Sequence, residues 1–512
     1  MPRRRHAAML LVALSALTAC SAGPSTRPVI AVRGDTQPTE SARPSGPRDV
    51  PPLENYDTQL SWSQCTETTK LRMGATAPAG DQTYECARLT VKLDTTGRPG
   101  RGSLGLALLR VGTGGSPLVV VGDADGEPGT LKAARLAASL PPETLSTFTL
   151  IGVDRRGTGK SDPVQCVPEV ARVGIVESDP DSADQDDLLE WVGRASHECV
   201  LDLENKLTAV DSWRASADLE QLREALGVGV LNAIGVGDGS RVLTMYASRY
   251  PERIGRMVFD GAPDPTLDVP GVAEARAVAA EAAFTAFEKD CVARGCPLGA
   301  DATKRYTALL TKLRDKPLRG NDLDLTAGTA VSAVLAGLAD RSRWPALADA
   351  IVAAEGGNAA PLTDFVRRHV VDRDDNPPTL DAALVTACND TTTRIPPERV
   401  KVMTEDWRAK HPLFGSWFAR RMLECGPFPV PQAVKVPKLS SAPPILVIST
   451  ANDPVTPQGG TERAAQALPA GVLVGWQGSG HGALGQSACA TAAAHDFLAN
   501  AKVPAGGTVC PP

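Results

Sequence analysis

Short continuous runs of Val, Ile and Leu recur along the chain and alternate with amphipathic helical stretches. Such runs are typical of strands buried on both faces, and their alternation with helices favours a largely parallel α/β sheet. The predicted strands are Leu89–Asp94, Leu104–Val111, Pro117–Val121, Phe148–Asp154, Val230–Val236, Met257–Asp260, Ile445–Ser449 and Val472–Trp476. From about residue 266 to 440 Ala-rich helical patterns replace the strand signals, so we expect an inserted helical cap.

Composition supports a globular body and argues against a nucleic-acid partner. The 512 residues are 42% hydrophobic and 22% charged, values of an ordinary folded protein. The formal net charge is −6, so the chain lacks the general basic surface that nucleic acid or an anionic membrane surface attracts.

The N-terminus predicts export and a lipid anchor. A basic start, an apolar run over residues 7–17 and the sequence Leu17-Thr18-Ala19-Cys20 resemble a bacterial lipoprotein signal, with Cys20 as the lipidated residue; plain signal cleavage nearby is the alternative. We expect a signal peptide over residues 1–20, a flexible linker over 21–55 and membrane contact only through the lipid. The core is expected over 56–265, the cap over 266–440 and the C-terminal part of the core over 441–512.

Ten cysteines remain once Cys20 is set aside, and an even number in an exported protein predicts disulfides. No paired Cys or His spacing indicates a zinc site, and we expect neither a metal nor a cofactor. Pairing of nearest neighbours along the chain gives Cys65 with Cys86, Cys166 with Cys199, Cys291 with Cys296, Cys388 with Cys425 and Cys489 with Cys510.

Three polar motifs follow predicted strands in an order that indicates a hydrolase. The strand ending at Val236 leads into Gly237-Asp238-Gly239 and then a helix, the frame of a nucleophile elbow. Asp453 and His481 follow two later strands, which gives the chain order elbow, acid, histidine.

The sequence resembles the tripeptidyl aminopeptidase-like (TAP-like) secreted α/β-hydrolases from about residue 60 to 510. The matching landmarks are Trp62 with Cys65, Tyr84-Glu85-Cys86-Ala87, Val91-Lys92-Leu93-Asp94, Asp154-Arg155-Arg156-Gly157-Thr158-Gly159-Lys160-Ser161, Asp218-Leu219-Glu220-Gln221-Leu222-Arg223, Cys388-Asn389-Asp390, Asp453-Pro454-Val455-Thr456-Pro457 and Gly480-His481-Gly482. This resemblance implies an α/β-hydrolase fold, serine-type hydrolysis of peptide or ester bonds, and roles for Asp453 and His481 as triad acid and base.

Two departures from the family pattern argue against catalysis. The position of the nucleophile serine falls on Gly237, which has no atom that could form an acyl-enzyme. The oxyanion loop, which begins at Gly122, carries Asp123 and Asp125, and these carboxylates, with Asp238, would repel developing negative charge.

Several alternatives follow from these departures. Asp238 or Ser240 could act as a substitute nucleophile, although Ser240 also suits a helix N-terminus. One hypothesis is therefore an active peptidase or esterase that uses Asp453 and His481 with an unrecognised nucleophile. The favoured hypothesis is a non-catalytic relative whose pocket binds a small peptide-like, ester-like or cationic ligand through Asp123, Asp125, Glu127 and Asp238. Metal binding by these carboxylates with His481 is a weaker third possibility.

Overall fold

A computed structural model describes residues 49–74, 77–78, 80–93, 102–372 and 376–512. Residues 1–48 lie outside this part of the chain, so the predicted signal peptide, Cys20 and most of the predicted linker are not described, and neither is Asp94.

Ten strands of the described residues form one sheet, in the order β1-β2-β3-β5-β4-β6-β7-β8-β9-β10. The strands are β1 Ser63–Gln64, β2 Glu85–Lys92, β3 Ser103–Val111, β4 Ser116–Val121, β5 Phe148–Val153, β6 Leu231–Val236, β7 Ile254–Asp260, β8 Ile445–Asn452, β9 Gly471–Ser479 and β10 Thr508–Cys510. The pairs from β5 through β4 to β10 are parallel, and those joining β1, β2, β3 and β5 are antiparallel.

Each of the eight predicted strands overlaps a strand of this sheet, although the predictions run past the observed ends at Leu93, Asp154 and Val230, and the mostly parallel α/β architecture is confirmed. Every residue of β4, β5, β6 and β7 is buried, which explains why their sequences are apolar without alternation. The sequence did not predict β1 and β10, because strands of two and three residues are too short to show a pattern.

Helices cover both faces of the sheet and form a separate layer beside it. Their bounds are α1 Thr66–Met73, α2 Gly129–Ser139, α3 Pro142–Thr147, α4 Glu169–Glu177, α5 Asp186–Leu203, α6 Ser212–Ala225, α7 Gly239–Arg249, α8 Val269–Arg294, α9 Ala302–Asp315, α10 Ala327–Leu338, α11 Trp344–Glu355, α12 Ala360–Thr363, α13 Arg367–Val370, α14 Thr379–Asn389, α15 Pro397–Lys410, α16 Gly415–Arg421, α17 Gln458–Ala467 and α18 Ala488–Asn500. Short 3₁₀ turns cover Glu204–Ala209, Pro251–Arg253, Gly299–Asp301 and Arg341–Arg343. In the part of the chain that the structure describes, no helix has the length and apolar character needed to cross a bilayer.

Three apolar clusters divide the interior. One cluster joins α6, α7 and α17 to one face of the sheet, and a second joins α2 and α18 to the other face. The third cluster fills the helical layer and contains residues from 164–210 as well as from 277–428. The apolar faces of α4 and α5, which precede the predicted cap in sequence, thus pack with the helices of the insertion.

The structure contains the five disulfides that the sequence predicts. Cys65–Cys86 joins the N-terminal end of α1 to β2, and Cys489–Cys510 joins α18 to β10. The other three lie in the helical layer, where they are Cys166–Cys199, Cys291–Cys296 and Cys388–Cys425.

Candidate active site

Four loops meet at the carboxyl edge of the parallel sheet. Asp123 follows β4, Gly237 follows β6, Asp453 follows β8 and His481 follows β9. Because the carboxyl ends of parallel strands share one edge, ligand and catalytic sites of α/β proteins form there. The fold thus brings together residues that lie as much as 358 positions apart.

Gly237 lies at a sharp bend between β6 and α7, as the elbow prediction requires. Its φ of +53° is in the left-handed region, where glycine carries no steric penalty. Small residues on either side let the strand and helix approach: a Cβ at Gly239 would lie 2.1 Å from the Val121 carbonyl oxygen, and one at Gly235 would lie 2.8 Å from the Ser240 Cα. This bend has the geometry of a nucleophile elbow.

Asp453 and His481 are in contact. His481 Nδ1 lies 3.0 Å from Asp453 Oδ2 and 3.1 Å from Oδ1. The backbone N–H groups of Val455 and Thr456 donate to Asp453 Oδ1, and the Thr456 hydroxyl donates to Oδ2 at 2.7 Å. These bonds fix the fully buried carboxylate so that it orients the imidazole, as an acid–histidine pair requires.

Asp123 occupies the space beside the bend. Its Oδ1 accepts a hydrogen bond of 2.7 Å from the backbone N–H of Asp238, and its Oδ2 lies 3.1 Å from His481 Nε2. A Cβ built on Gly237 would lie 2.0 Å from Asp123 Oδ1 and 2.7 Å from His481 Nε2. The Asp123 carboxylate therefore stands where a side chain at position 237 would begin. The sequence analysis assigns this carboxylate to charge repulsion near the oxyanion loop, to binding of a cationic ligand or, with His481, to a metal; a direct hydrogen bond between Asp123 and the imidazole is not among those predictions.

Two carboxylates flank one imidazole, and their charges decide its protonation. Burial alone would lower the pKa of His481, but attraction by Asp453 and Asp123 outweighs burial and raises that pKa well above its usual value. Burial favours a neutral Asp123, yet the imidazolium and the Asp238 N–H hold the pKa of Asp123 below its usual value. Asp123, His481 and Asp453 thus form an ion triad in which the two flanking carboxylates favour an imidazolium.

The cap closes over this triad. The His481 backbone N–H donates at 2.7 Å to the carbonyl oxygen of Ala339, just after α10. The side chains of His481 and Asp123 are each 11% exposed. Asp260, at the end of β7, accepts hydrogen bonds from the N–H groups of Ala483 and Leu484 and so orders the loop that carries His481.

The two substitute nucleophiles considered from the sequence are occupied elsewhere. Asp238 binds Arg155 Nη1 at 2.6 Å and Arg241 Nε at 3.1 Å. Ser240 is fully buried and its hydroxyl donates to the Gly235 carbonyl oxygen at 2.9 Å. A serine that caps a helix accepts a hydrogen bond from a free backbone N–H, whereas the Ser240 hydroxyl donates one to a backbone carbonyl oxygen near the end of β6.

The predicted acidic cluster is partly neutralised. Glu127 pairs with Arg135 at 2.5 Å, and Asp123 and Asp238 have the partners given above. Asp125 is exposed, and Gly122 is buried directly after β4. Among the described residues, no group of three or more His, Cys, Asp or Glu side chains is arranged to hold a metal ion.

A polar chain that the sequence analysis missed joins the bend to the cap. Arg155 donates at 2.9 Å to the Ser212 hydroxyl, and this hydroxyl donates to Asp390, directly after α14, at 2.5 Å. Burial and then repulsion by Asp238 raise the pKa of Asp390 to about 6. Arg155 and Asp390 lie in motifs noted above, but only the fold shows that they share a partner.

Comparisons with known proteins agree with this geometry. A family model described as "alpha/beta hydrolase fold" matches residues 126–287, and one described as "TAP-like protein" matches residues 411–510. Carboxylesterase B of Mycobacterium tuberculosis is 26% identical over 472 residues, which cover 86% of this chain and 88% of that protein. Tripeptidyl aminopeptidase of Streptomyces lividans is 24% identical over 220 residues, 41% of this chain and 39% of that protein.

Serine protease Hip1 of Mycobacterium tuberculosis is 30% identical to this chain over 472 residues, which cover 83% of this chain and 87% of that protein. The chain belongs to the TAP-like family of α/β-hydrolases. The family resemblance and fold class predicted from the sequence are therefore confirmed. In this TAP-like α/β-hydrolase, the residues that match the "alpha/beta hydrolase fold" model include Gly237, and those that match the "TAP-like protein" model include Asp453 and His481.

Proposed function

We propose that this TAP-like α/β-hydrolase does not carry out serine-type acyl transfer. The observation that carries the proposal is the pairing of Gly237 at the bend with the Asp123 carboxylate beside it. Glycine offers no hydroxyl to attack a carbonyl carbon, so an acyl-enzyme cannot form at this position. The family resemblance places the nucleophile serine of active relatives there.

The general base and the oxyanion donor that acyl transfer requires are also bound to Asp123. A general base must be able to accept a proton, but the two carboxylates favour an imidazolium at His481. The Asp238 N–H, which follows the elbow as an oxyanion donor would, is bonded to Asp123 Oδ1. Loss of a single oxyanion donor costs about 3 kcal/mol of transition-state stabilisation, so a substrate carbonyl would be poorly activated.

Labelling with a serine-reactive fluorophosphonate tests this proposal. We expect no labelling of the wild type or of Gly237→Ser, because Asp123 fills the position of the new side chain. Gly237→Ser combined with Asp123→Ala should be labelled, and adding His481→Gln to that pair should abolish labelling. Labelling or peptide and ester turnover by the wild type would overturn the proposal, and an unlabelled, folded double variant would overturn the assignment of the bend.

For the ligand, we propose a small peptide-like or ester-like molecule whose cationic group is attracted by Asp125. Asp125 supports the proposal because it is exposed on the loop beside Asp123, whereas Glu127 and Asp238 form direct ion pairs with arginines. Burial and then repulsion by Asp123 raise the pKa of Asp125, against attraction by Arg276, so a cationic group of a ligand would relieve that repulsion. Calorimetry with a free-amine tripeptide should show weaker binding by Asp125→Asn and unchanged binding by the exposed cap variant Asp349→Asn. Equal affinities of wild type and Asp125→Asn for the tripeptide would show that Asp125 does not contribute to binding.

We also propose an extracytoplasmic protein anchored by lipid at Cys20. Five disulfides support an oxidising compartment, and the sequence around Cys20 supports lipidation. Labelling of cells with an alkyne fatty acid should tag the wild type and Ser21→Ala but not Cys20→Ala. A wild type without the tag, or a tagged Cys20→Ala, would contradict the anchor.

A further inference from the structure

Residues 430–441 form a strap that connects the cap to β8. The strap contains neither helix nor strand, and no hydrogen bond joins it to another residue of the described chain. Its ends are fixed, because Arg394 donates to the Pro429 carbonyl oxygen at 2.9 Å and Ala442 is buried. Since no backbone bond has to break, the strap can enter another protein's binding cleft without unfolding the rest of the chain.

The sequence of the strap explains why it forms no regular structure. Pro431 and Pro437 lack a backbone N–H and fix φ at about −65°, and each restricts the residue before it to extended conformations. The strap therefore cannot continue a helix or join the centre of the sheet. Residues 432–438 are all exposed, and they are the longest unbroken exposed run in the part of the chain that the structure describes.

An extended, exposed segment of this length fits the cleft of an endopeptidase. Such enzymes bind a substrate through backbone hydrogen bonds on both sides of the bond that they cut, and a side-chain pocket selects the residue before that bond. The charged side chains of the strap are Lys435 and Lys438, and it contains neither Asp nor Glu. A pocket that contains a carboxylate binds a lysine ammonium, so the strap presents two candidate bonds to an enzyme with such a pocket.

We propose that the Lys435–Val436 bond is a processing site for an endopeptidase whose specificity pocket carries a carboxylate. This bond has three exposed residues before Lys435 and two after Val436, all within 432–438. Water adds to the Lys435 carbonyl carbon, and the bond from that carbon to the Val436 nitrogen breaks. The products are a carboxylate on Lys435 and an amine on Val436. This inference goes beyond the proposed function, because it does not involve the bend at Gly237.

Two other bonds show why backbone freedom selects this one. The Lys401–Val402 bond has the same two residue types and is also exposed, with Val402 at 66% against 41% for Val436. It lies inside α15, however, so a cleft could bind it only after the helix opened locally. The Lys438–Leu439 bond lies at the end of the exposed run, where Leu439 packs against the apolar cluster of α6, α7 and α17.

Cleavage would give a protein of two chains. Among the described disulfides none spans the bond, since Cys388–Cys425 lies before it and Cys489–Cys510 lies after it. The chain that begins at Val436 would carry both Asp453 and His481. It would stay paired through β8 with β7, and each of the two sheet clusters contains residues from both chains. We therefore expect the two chains to remain associated until denaturant separates them.

Limited digestion with trypsin, whose pocket carries an aspartate, tests the accessibility of the bond. The first cut in the folded wild type should create an N-terminus at Val436, identified by mass spectrometry. Lys435→Gln should lose this cut, whereas Lys401→Gln should be cut like the wild type. The cut protein should give two bands in a denaturing gel without reductant and one peak in native size-exclusion chromatography. A first cut at Lys401–Val402, or no early cut in the folded wild type, would contradict the proposal.

Analysis of the protein from the cells that make it tests the processing itself. Wild type should contain the fragment that begins at Val436, and so should Lys435→Arg, because the guanidinium keeps the positive charge. Lys435→Gln should remain a single chain. A wild type that is entirely uncut, or the same fragment from Lys435→Gln, would overturn the proposal. Fluorophosphonate labelling of the wild type would overturn only the proposed function, so the two failures are distinguishable.

Discussion

Gly237 and Asp123 depend on each other sterically. Gly237→Ala would place a Cβ 2.0 Å from Asp123 Oδ1 and would also hold a non-glycine residue at a φ of +53°. The backbone strain alone costs about 1–3 kcal/mol, and the displaced carboxylate adds to it. We expect urea denaturation to show a larger loss of unfolding free energy in the wild-type background than in Asp123→Ala. Equal losses in the two backgrounds would show that the residues are independent.

The protonation of His481 makes the free energy of unfolding depend on pH, and the directions of the pKa shifts give the sign of that dependence. Because the folded pKa of His481 is raised, its stabilisation is fully present below the unfolded pKa near 6.5 and is lost as pH rises through the folded pKa. Because the folded pKa of Asp123 is lowered, its contribution is present above the unfolded value of 3.8 and is lost as pH falls through the folded pKa.

Asp123→Asn should therefore destabilise the protein most between these limits. The expected loss near pH 6 is about 2 kcal/mol, the scale of a charged hydrogen bond, and it should shrink in alkaline solution. Unfolding free energies measured across pH for both proteins test this, with the exposed variant Asp349→Asn as the control. Nitrogen NMR of the imidazole should show both ring nitrogens protonated at pH 7 in the wild type, and a neutral ring there would contradict the ion triad.

At the level of elements, the disulfides of the helical layer close loops of different lengths. Cys166 and Cys199 are 33 residues apart, whereas Cys291 and Cys296 are 5 apart. Loop-closure entropy gives roughly 4 kcal/mol for the longer loop and roughly 2 kcal/mol for the shorter one. We expect the Cys→Ser pair at 166 and 199 to lower the free energy of unfolding more than the pair at 291 and 296. Calorimetric or urea unfolding of both variants checks the order, and the reverse order would contradict it.

The sequence predicted elements whose burial leaves a local pattern. The run Pro117–Val121 indicates a strand because both of its faces are covered, and Gly237 and His481 could be placed after strands for that reason. The contact of Asp123 with His481 could not be predicted, because it joins residues 358 positions apart and depends on the path of one loop. The partners of Asp238 and Ser240 likewise follow from side-chain directions at the bend.

Across the whole molecule, the helical layer is assembled from two chain segments. Val164, Leu188, Val192 and Leu207 precede the insertion in sequence, yet they pack in one apolar cluster with residues after 276. In the sequence, α4 and α5 show an apolar face like any helix that covers a sheet, so the pattern could not tell which layer the face contacts. The insertion therefore completes a core that begins before it.

This arrangement predicts the result of removing the insertion. Replacing residues 266–440 by a short Gly/Ser linker joins β7 to β8, which are already parallel neighbours in the sheet. We expect the shortened protein to bind a hydrophobic dye and associate, because it exposes apolar faces of α4 and α5 that are buried in the full chain.

Leu188→Glu with Val192→Lys in the shortened chain should reduce both effects, whereas the same pair in the full chain should destabilise it, since both side chains are buried there. A shortened chain that stays monomeric and binds no dye would show that these helices cover the sheet independently of the insertion. Size-exclusion chromatography and dye fluorescence of the four proteins decide between these outcomes.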